Sequence, residues 1–327
     1  MNAMILAAGF GNRFLPHTGL MAKPALPFLN QPLISYTHYY LEQLSVDKIV
    51  VNTHHLPYTV KAAVESLKSK SPVVFTEEKP NILGSGGGIG FAKGPLENGE
   101  AFLVANGDEV LLFQHDRGFS PLVEAHKVSK PLITHLVCEN PEVGKTLNGV
   151  WVDEQGWVRG YGRKAPEPGL KGFHFLGVHV MEPKVFRYIP EGESNILYDV
   201  AVRAIEAGEK IAVHVEENPQ WFETGNLDSY LEATTKCLSH LVNQSVYGTG
   251  LKNILDRYQK NYHVEAAAGT QVFYSENVHV ADDAAFVGSV VLGHDCHVQA
   301  ASTIESSVVA AHVKVAEGQH RKNELIL

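Results

Sequence analysis

Within its first thirteen residues the chain passes from a short apolar run, Ala3-Met4-Ile5-Leu6, into Ala7-Ala8-Gly9-Phe10-Gly11-Asn12-Arg13, with Pro16, Thr18 and Lys23-Pro24 just behind. The apolar run reads as a buried strand. A buried strand that opens into a loop with two glycines brings backbone N–H groups to its carboxyl end, where no Cβ keeps an anion at a distance. Arg13 offers a planar fork of donors for phosphate oxygens, and Lys23 a mobile point charge. Strand, glycine loop and two cations together suggest a triphosphate site at the start of an α/β fold.

Two common phosphate loops are excluded. A dinucleotide fingerprint requires a third glycine where Phe14 stands, and a P-loop requires Gly-Lys-Ser/Thr after four spacers. The net charge of −9 argues against nucleic acid as a partner and leaves anion binding to local cations and metal. No apolar run approaches the roughly 18 residues of a membrane span, and residues 1–20 lack a signal peptide's apolar stretch. Cys138, Cys237 and Cys296 lie far apart with no CxxC spacing, as expected of buried thiols in a reducing cytoplasm.

Up to about residue 240 strands and helices alternate. Lys48–Thr53, Pro72–Thr76 and Ala101–Ala105 read as buried strands. Pro32–Leu44 and Pro57–Leu67 carry apolar residues at helical spacing, each opened by a proline suited to a first turn. Such alternation predicts right-handed crossovers and a Rossmann-like, mostly parallel sheet with helices on both faces. Ligands then bind outside the carboxyl ends of the strands. Between Leu132 and Met181 the pattern becomes strand-rich, which predicts an antiparallel layer near the site.

The N-terminal stretch resembles the signature of sugar-1-phosphate nucleotidylyltransferases, Leu-Ala-Ala-Gly-x-Gly-x-Arg followed by Pro-x-Thr and Lys-Pro. Ten positions match: Leu6, Ala7, Ala8, Gly9, Gly11, Arg13, Pro16, Thr18, Lys23 and Pro24; Ala22 stands where the family usually has proline. The resemblance implies transfer of a nucleotidyl group from a nucleoside triphosphate to a sugar 1-phosphate. It makes Arg13 and Lys23 catalytic and sets Leu6, Ala8, Gly9 and Gly11 against the nucleotide.

A second cluster, Gly84-Ser85-Gly86-Gly87-Gly88-Ile89, opens a predicted helix whose first N–H groups can face a ligand. In the resembled family a glycine loop here lies against base and ribose, so Gly86, Gly87 and Gly88 are expected there. The form of this cluster, with Asn52-Thr53-His54-His55, is similar to the branch of muramate-1-phosphate uridylyltransferases and some mannose-1-phosphate guanylyltransferases. Asp108, past Gly107 at the end of a strand, suits a hard cation and matches the family's metal-binding aspartate. The family's second carboxylate falls in Trp221-Phe222-Glu223-Thr224-Gly225-Asn226, where Glu223 is one methylene longer than the usual aspartate. Mg²⁺, or Mn²⁺ in its place, is the implied cofactor. For the sugar, the resemblance points to Gly149, to Lys164 in Gly162-Arg163-Lys164-Ala165-Pro166, and to Gly177.

The tail is periodic. Tyr274, Val280, Phe286, Leu292, Val298, Ile304, Ala310 and Ala316 recur every sixth residue, with aliphatic or small partners two positions earlier, a pattern broken at Lys314. The run resembles hexapeptide-repeat left-handed β-helices and predicts two to three coils. The expected organisation is a catalytic domain over 1–240, a linker with a helix at Leu251–Tyr262 over 241–269, and a β-helix over 270–327. The β-helix is expected to pack on the catalytic domain or to join copies in a homo-oligomer. His54, His55, His294 and His297 lack metal-ligand spacing and read as structural or surface residues. Two other functions fit the same fold. One is a phosphocholine cytidylyltransferase, if Tyr161, Phe173, Phe175 and Trp221 form a cage for the cation. The other is a nucleotide-sugar-binding regulatory subunit without activity.

Overall fold

The structure is a computed structural model describing all 327 residues. Its main sheet holds β1 (Ala3–Leu6), β2 (Ile49–Thr53), β3 (Val73–Glu77), β4 (Phe102–Asn106), β5 (Ile133–Cys138), β6 (Lys171–Met181) and β7 (Ile211–Glu216). The spatial order is β7-β5-β6-β4-β1-β2-β3. β1 to β4 are mutually parallel, and β6 runs antiparallel between β4 and β5. The chain moves outward from β1 to β3 and then crosses back to lay β4 on the other side of β1. That reversal is the topological switch point at which open α/β sheets bind ligands.

The helices α1 (Ile34–Glu42), α2 (Pro57–Ser66), α3 (Gly84–Phe91) and α4 (Ser120–Ser129) connect these strands. Two apolar cores result, one containing Ile5, Val51, Leu103 and Ala105, the other Met4, Val50, Phe102 and Val104. Alternate side chains of each strand enter opposite cores, as burial on both faces of a sheet requires. The antiparallel layer is formed by Gly149–Val152 and Val158–Gly162, which pair with each other and against the first residues of β6. No helix is long and apolar enough to cross a membrane.

The stretch expected as a linker is built into the core. After α5 (Leu227–Val242) comes α6 (Val246–Tyr258), which buries Leu251, Ile254 and Leu255 among the same side chains as Tyr36, Tyr40 and Tyr230. His263–Ala267 then pairs antiparallel with Thr270–Tyr274, the first strand of the tail.

The tail is a three-faced parallel β-helix. One face stacks Thr270–Tyr274, Ser289–Leu292, Val308–Val309 and Leu325–Ile326; short strands from His279, His297 and Lys314 make the second, and strands from Ala285, Thr303 and His320 the third. The periodicity shifts by one residue after Ile304. Val272 pairs with Val290, 18 residues on, whereas Leu292 pairs with Val309, 17 residues on. Val309 and Val315 are therefore buried inside, while Ala310 is half-buried and Ala316 is exposed, contrary to the uninterrupted hexad expectation. The first face also packs on the catalytic domain. Phe273, Val291, Val308 and Leu325 enter the core that holds Cys237 and Leu238 of α5, and His17 Nε2 lies 2.8 Å from the Leu325 carbonyl oxygen.

Candidate active site

Leu6 stands level with Asn52 on one side and Asn106 on the other, so three loops leave the sheet at the same height. The loops are tied together by side chains. Ala7 N–H donates to Asn52 Oδ1 (2.8 Å), Asn52 Nδ2 to Glu78 Oε1 (2.7 Å), and Leu83 N–H to Glu78 Oε2 (2.7 Å). Asn52 and Glu78 are buried, so this chain fixes the N-terminal loop relative to the start of α3. Neither residue was assigned a role from sequence; a polar pair at the ends of β2, which is buried, and β3, which is half-buried rather than buried as expected, is the signal that could have found them.

Gly11 holds a left-handed φ of +66°, and a Cβ there would meet Thr18 Cγ2 at 2.8 Å. Its carbonyl accepts from Thr18 Oγ1 at 3.0 Å. Glycine is thus required by the bend of the loop as much as by an anion's approach. The cleft above has a volume of about 250 Å³. Leu6, Ala8, Gly9, Gly11, Lys23 and Asp108 all line it.

The second glycine cluster differs from expectation. Ile82, Gly84 and Ser85 face the cleft, while Gly86, Gly87 and Gly88 lie deeper, inside α3. A Cβ on Gly86 would meet Ser194 Oγ at 2.7 Å, on Gly87 the Gly192 carbonyl at 2.3 Å, and on Gly88 Glu78 Oε1 at 2.7 Å. These glycines let α3 sit close to the 192–200 segment and to Glu78.

Two ion pairs organise the charge. Lys23 Nζ lies 2.7 Å from Asp108 Oδ2, and Arg13 Nη1 2.9 Å from Glu223 Oε1. Glu223 is delivered by the pairing of Gln220–Phe222 with Val110–Leu112, and Thr224 Oγ1 donates to the Asp108 carbonyl at 2.8 Å. A Cβ on Gly225 would fall 2.8 Å from both Arg13 Nη2 and Glu223 Oε1. Asn226, in the family's threonine position, caps α5 by accepting from Ser229 N–H at 3.0 Å.

Sequence reading missed Glu109. Its carboxylate accepts from Trp221 Nε1 (2.6 Å) and Asn106 Nδ2 (3.1 Å). Burial first, and the adjacent Asp108 charge second, push its pKa up to about 7. Trp221 also packs edge-on against His174, 4.3 Å between centroids, and burial pulls the imidazole down to about 4.

The remaining sugar-side residues separate. Gly177, at φ +75°, abuts Asn106 and Glu109 and so belongs to the site's wall. Gly149 is a packing position, where a Cβ would meet Val143 Cγ1 at 2.9 Å and the Trp151 ring at 3.0 Å. Lys164 is exposed and forms no ion pair, whereas Arg163 is held by the Lys145 carbonyl and by Asn148 Oδ1. The four aromatics do not form a cage. Phe173, Phe175 and Tyr161 pack in one core and Trp221 against the other.

Comparison with known proteins bears on the family and the fold. The nucleotidyl transferase family model matches residues 2–240. A UTP–glucose-1-phosphate uridylyltransferase of Synechocystis is 24% identical across the whole chain and 87% of its own length. An N-acetylmuramate alpha-1-phosphate uridylyltransferase of Neisseria meningitidis is 31% identical over 59% of this chain and 80% of its own. Among solved structures, an inositol-1-phosphate CTP transferase from T. maritima superposes with a TM-score of 0.60 at 20% identity, covering 78% of this chain and 96% of that one. With its family model spanning residues 2–240, this chain belongs to the nucleotidyl transferase family.

Proposed function

We propose that the protein joins a sugar 1-phosphate to a nucleoside triphosphate, releasing pyrophosphate and a nucleotide-sugar. The observation that carries this reading is the cleft at the carboxyl ends of β1 and β4, lined by Gly9, Gly11, Lys23 and Asp108, with the Arg13–Glu223 pair on a more exposed rim of its own. An oxygen of the sugar phosphate attacks the α-phosphorus as the bond to the β-phosphate oxygen breaks, and the electron pair leaves with pyrophosphate. That oxygen is already anionic near pH 7, so no general base is required. Catalysis then reduces to in-line positioning and neutralisation of charge.

Lys23 stabilises the charge at the α-phosphate, and Arg13 with the Gly9–Gly11 amides holds the departing phosphates. Asp108 and Glu223 supply hard carboxylate oxygens on a partly exposed rim, a donor set suited to Mg²⁺ or Mn²⁺. A cation held there would supply positive charge to offset that of the phosphates. Asn52 and Glu78 keep the N-terminal loop and the Ile82–Ser85 wall in one geometry, and Gly177 abuts Asn106, which lines the cleft. A phosphocholine acceptor loses support because its aromatic cage does not assemble. A purely regulatory role loses support because both cations and both carboxylates are present and mutually placed.

The test is pyrophosphate release, measured with pyrophosphatase and malachite green over four nucleoside triphosphates and a panel of sugar 1-phosphates, with phosphocholine included. Turnover with a sugar 1-phosphate supports the reading. Turnover with phosphocholine alone, or with nothing despite nucleotide-sugar binding, replaces it by one of the alternatives.

A further inference from the structure

The side chains of His294, Asp295 and His312 meet at one corner of the β-helix, although His312 follows the other two by a whole coil. The 17-residue register of the last coils causes this: Val298 pairs with Val315, and His312 N–H donates to the His294 carbonyl at 2.9 Å. One ligand atom from each of the three lies within 4.8 Å of the others. The two imidazoles stand perpendicular, 4.7 Å between centroids. His312 Nδ1 is 3.7 Å from Asp295 Oδ2, beyond hydrogen-bond length, and no lysine or arginine pairs with Asp295. A carboxylate and two imidazoles therefore converge without satisfying one another.

We propose that this corner binds a divalent cation of the zinc class. Two neutral imidazoles and one carboxylate are a familiar three-ligand set for Zn²⁺, with the fourth position open to water. Imidazole nitrogen favours Zn²⁺, Co²⁺ or Ni²⁺ over Mg²⁺, which separates this site from the all-oxygen carboxylates Asp108 and Glu223. Asn30 Nδ2, 3.3 Å from His294 Nδ1, can only donate there, so it competes with a cation for the ring's lone pair and is not an outer partner. A bound cation clamps the second coil to the third. Because it binds the folded state, it raises stability as its free concentration exceeds its dissociation constant.

The decisive experiment uses the full-length protein, stripped with EDTA and returned to excess Mg²⁺ so that the hard-oxygen sites are filled. CoCl₂ is titrated by visible absorption and ZnCl₂ by calorimetry and thermal unfolding. We expect one equivalent of Co²⁺ with ligand-field bands, displacement by Zn²⁺, and a zinc-dependent rise in melting temperature. His312→Ala and Asp295→Asn each abolish or sharply weaken zinc uptake, because each removes one of the three protein ligands. Uptake that is absent, or unchanged in His312→Ala, overturns the proposal and leaves a solvated histidine–aspartate pair only.

Discussion

Lys23 Nζ lies 2.7 Å from Asp108 Oδ2, so the cation proposed to hold a phosphate is paired with the carboxylate proposed to hold a metal. Arg13 and Glu223 repeat the arrangement at 2.9 Å on the more exposed rim. In the free protein each charge is compensated by its neighbour. On the proposed function, the carboxylates would be the groups to hold a cation and the basic side chains those to hold phosphates, so a bound triphosphate with its cation would leave no partly buried charge alone.

Lys23→Ala is therefore expected to lower turnover by a factor of about 10²–10³, the usual effect of losing one preorganised charge contact at a transition state. Its effect on folding should be small by comparison, because Asp108 is one-third exposed and can be solvated when its partner goes. Steady-state kinetics beside urea unfolding checks this. Equal turnover at matched folding would refute the role of Lys23.

Much of this site was legible in the sequence because its residues lie within one loop or at strand ends, where spacing maps directly onto space. Gly11, Lys23 and Asp108 fall in that class. Glu109 was not legible, since a second acidic residue after Asp108 acquires meaning only when Trp221, 112 positions away, donates to it. Gly86 to Gly88 misled because helix packing against Gly192 and Ser194 needs the same absence of Cβ that a ligand does. The one-residue slip after Ile304 left a trace in Lys314, which breaks the hexad, but Ala310 and Ala316 are apolar enough to preserve the appearance of a repeat whose inward residues are Val309 and Val315.

Metal dependence follows from the two carboxylates. Activity should vanish in EDTA and return with Mg²⁺ or Mn²⁺, and Asp108→Asn should abolish it with thermal unfolding nearly unchanged. Glu223→Asp removes one methylene from a side chain that now reaches Arg13 at 2.9 Å. Restored or improved turnover would show that this backbone accommodates the shorter residue. Persistent activity in EDTA would eliminate the metal-bridged arrangement.

Glu78 tests the link between the loops. Replacing it by Ala leaves Asn52 Nδ2 and Leu83 N–H without their acceptor in a buried place. Each unsatisfied buried donor costs about 1–3 kcal/mol. Stability should fall by that order, and KM for the triphosphate should rise more than kcat falls, because the residue positions the binding loop without touching the reacting atoms. A stability loss with unchanged KM would confine Glu78 to a structural role.

A pH prediction comes from two buried histidines behind the antiparallel layer. His135 and His179 face each other at 2.7 Å between Nδ1 atoms, and His135 Nε2 lies 2.7 Å from the Tyr161 hydroxyl. Burial pulls His135 down to about 3; burial, and then the neighbouring imidazole, lowers His179 as well. Unfolded histidine titrates near 6.5, so on acidification the unfolded chain gains protons before the native one. Stability from these residues is full above about pH 6.5 and is lost progressively as pH falls towards 3. For His135 the loss between pH 7.5 and 5 is about 2 kcal/mol. Urea unfolding at the two pH values measures it. His135→Phe should be weaker at pH 7.5 yet lose less on going to pH 5; an unchanged pH slope would show that this pair does not govern acid sensitivity.

The tail's attachment makes the last prediction. Phe273, Val291, Val308 and Leu325 leave the β-helix to enter the core beside α5. Burying a side chain of this size contributes roughly 1.5–3 kcal/mol. A chain ended after Lys260 keeps α6, with Leu251, Ile254 and Leu255, but uncovers the apolar surface the tail occupied. Exposed patches of that kind drive association. The truncated protein should melt several degrees lower and form larger species by light scattering. It should still bind nucleotide, since Gly11, Arg13, Lys23 and Asp108 lie outside the tail. Ending the chain after residue 240 should be more damaging, because α6 is then lost from the core as well. A monodisperse product with unchanged melting temperature after the Lys260 cut would show that the seam between tail and catalytic domain contributes nothing to folding.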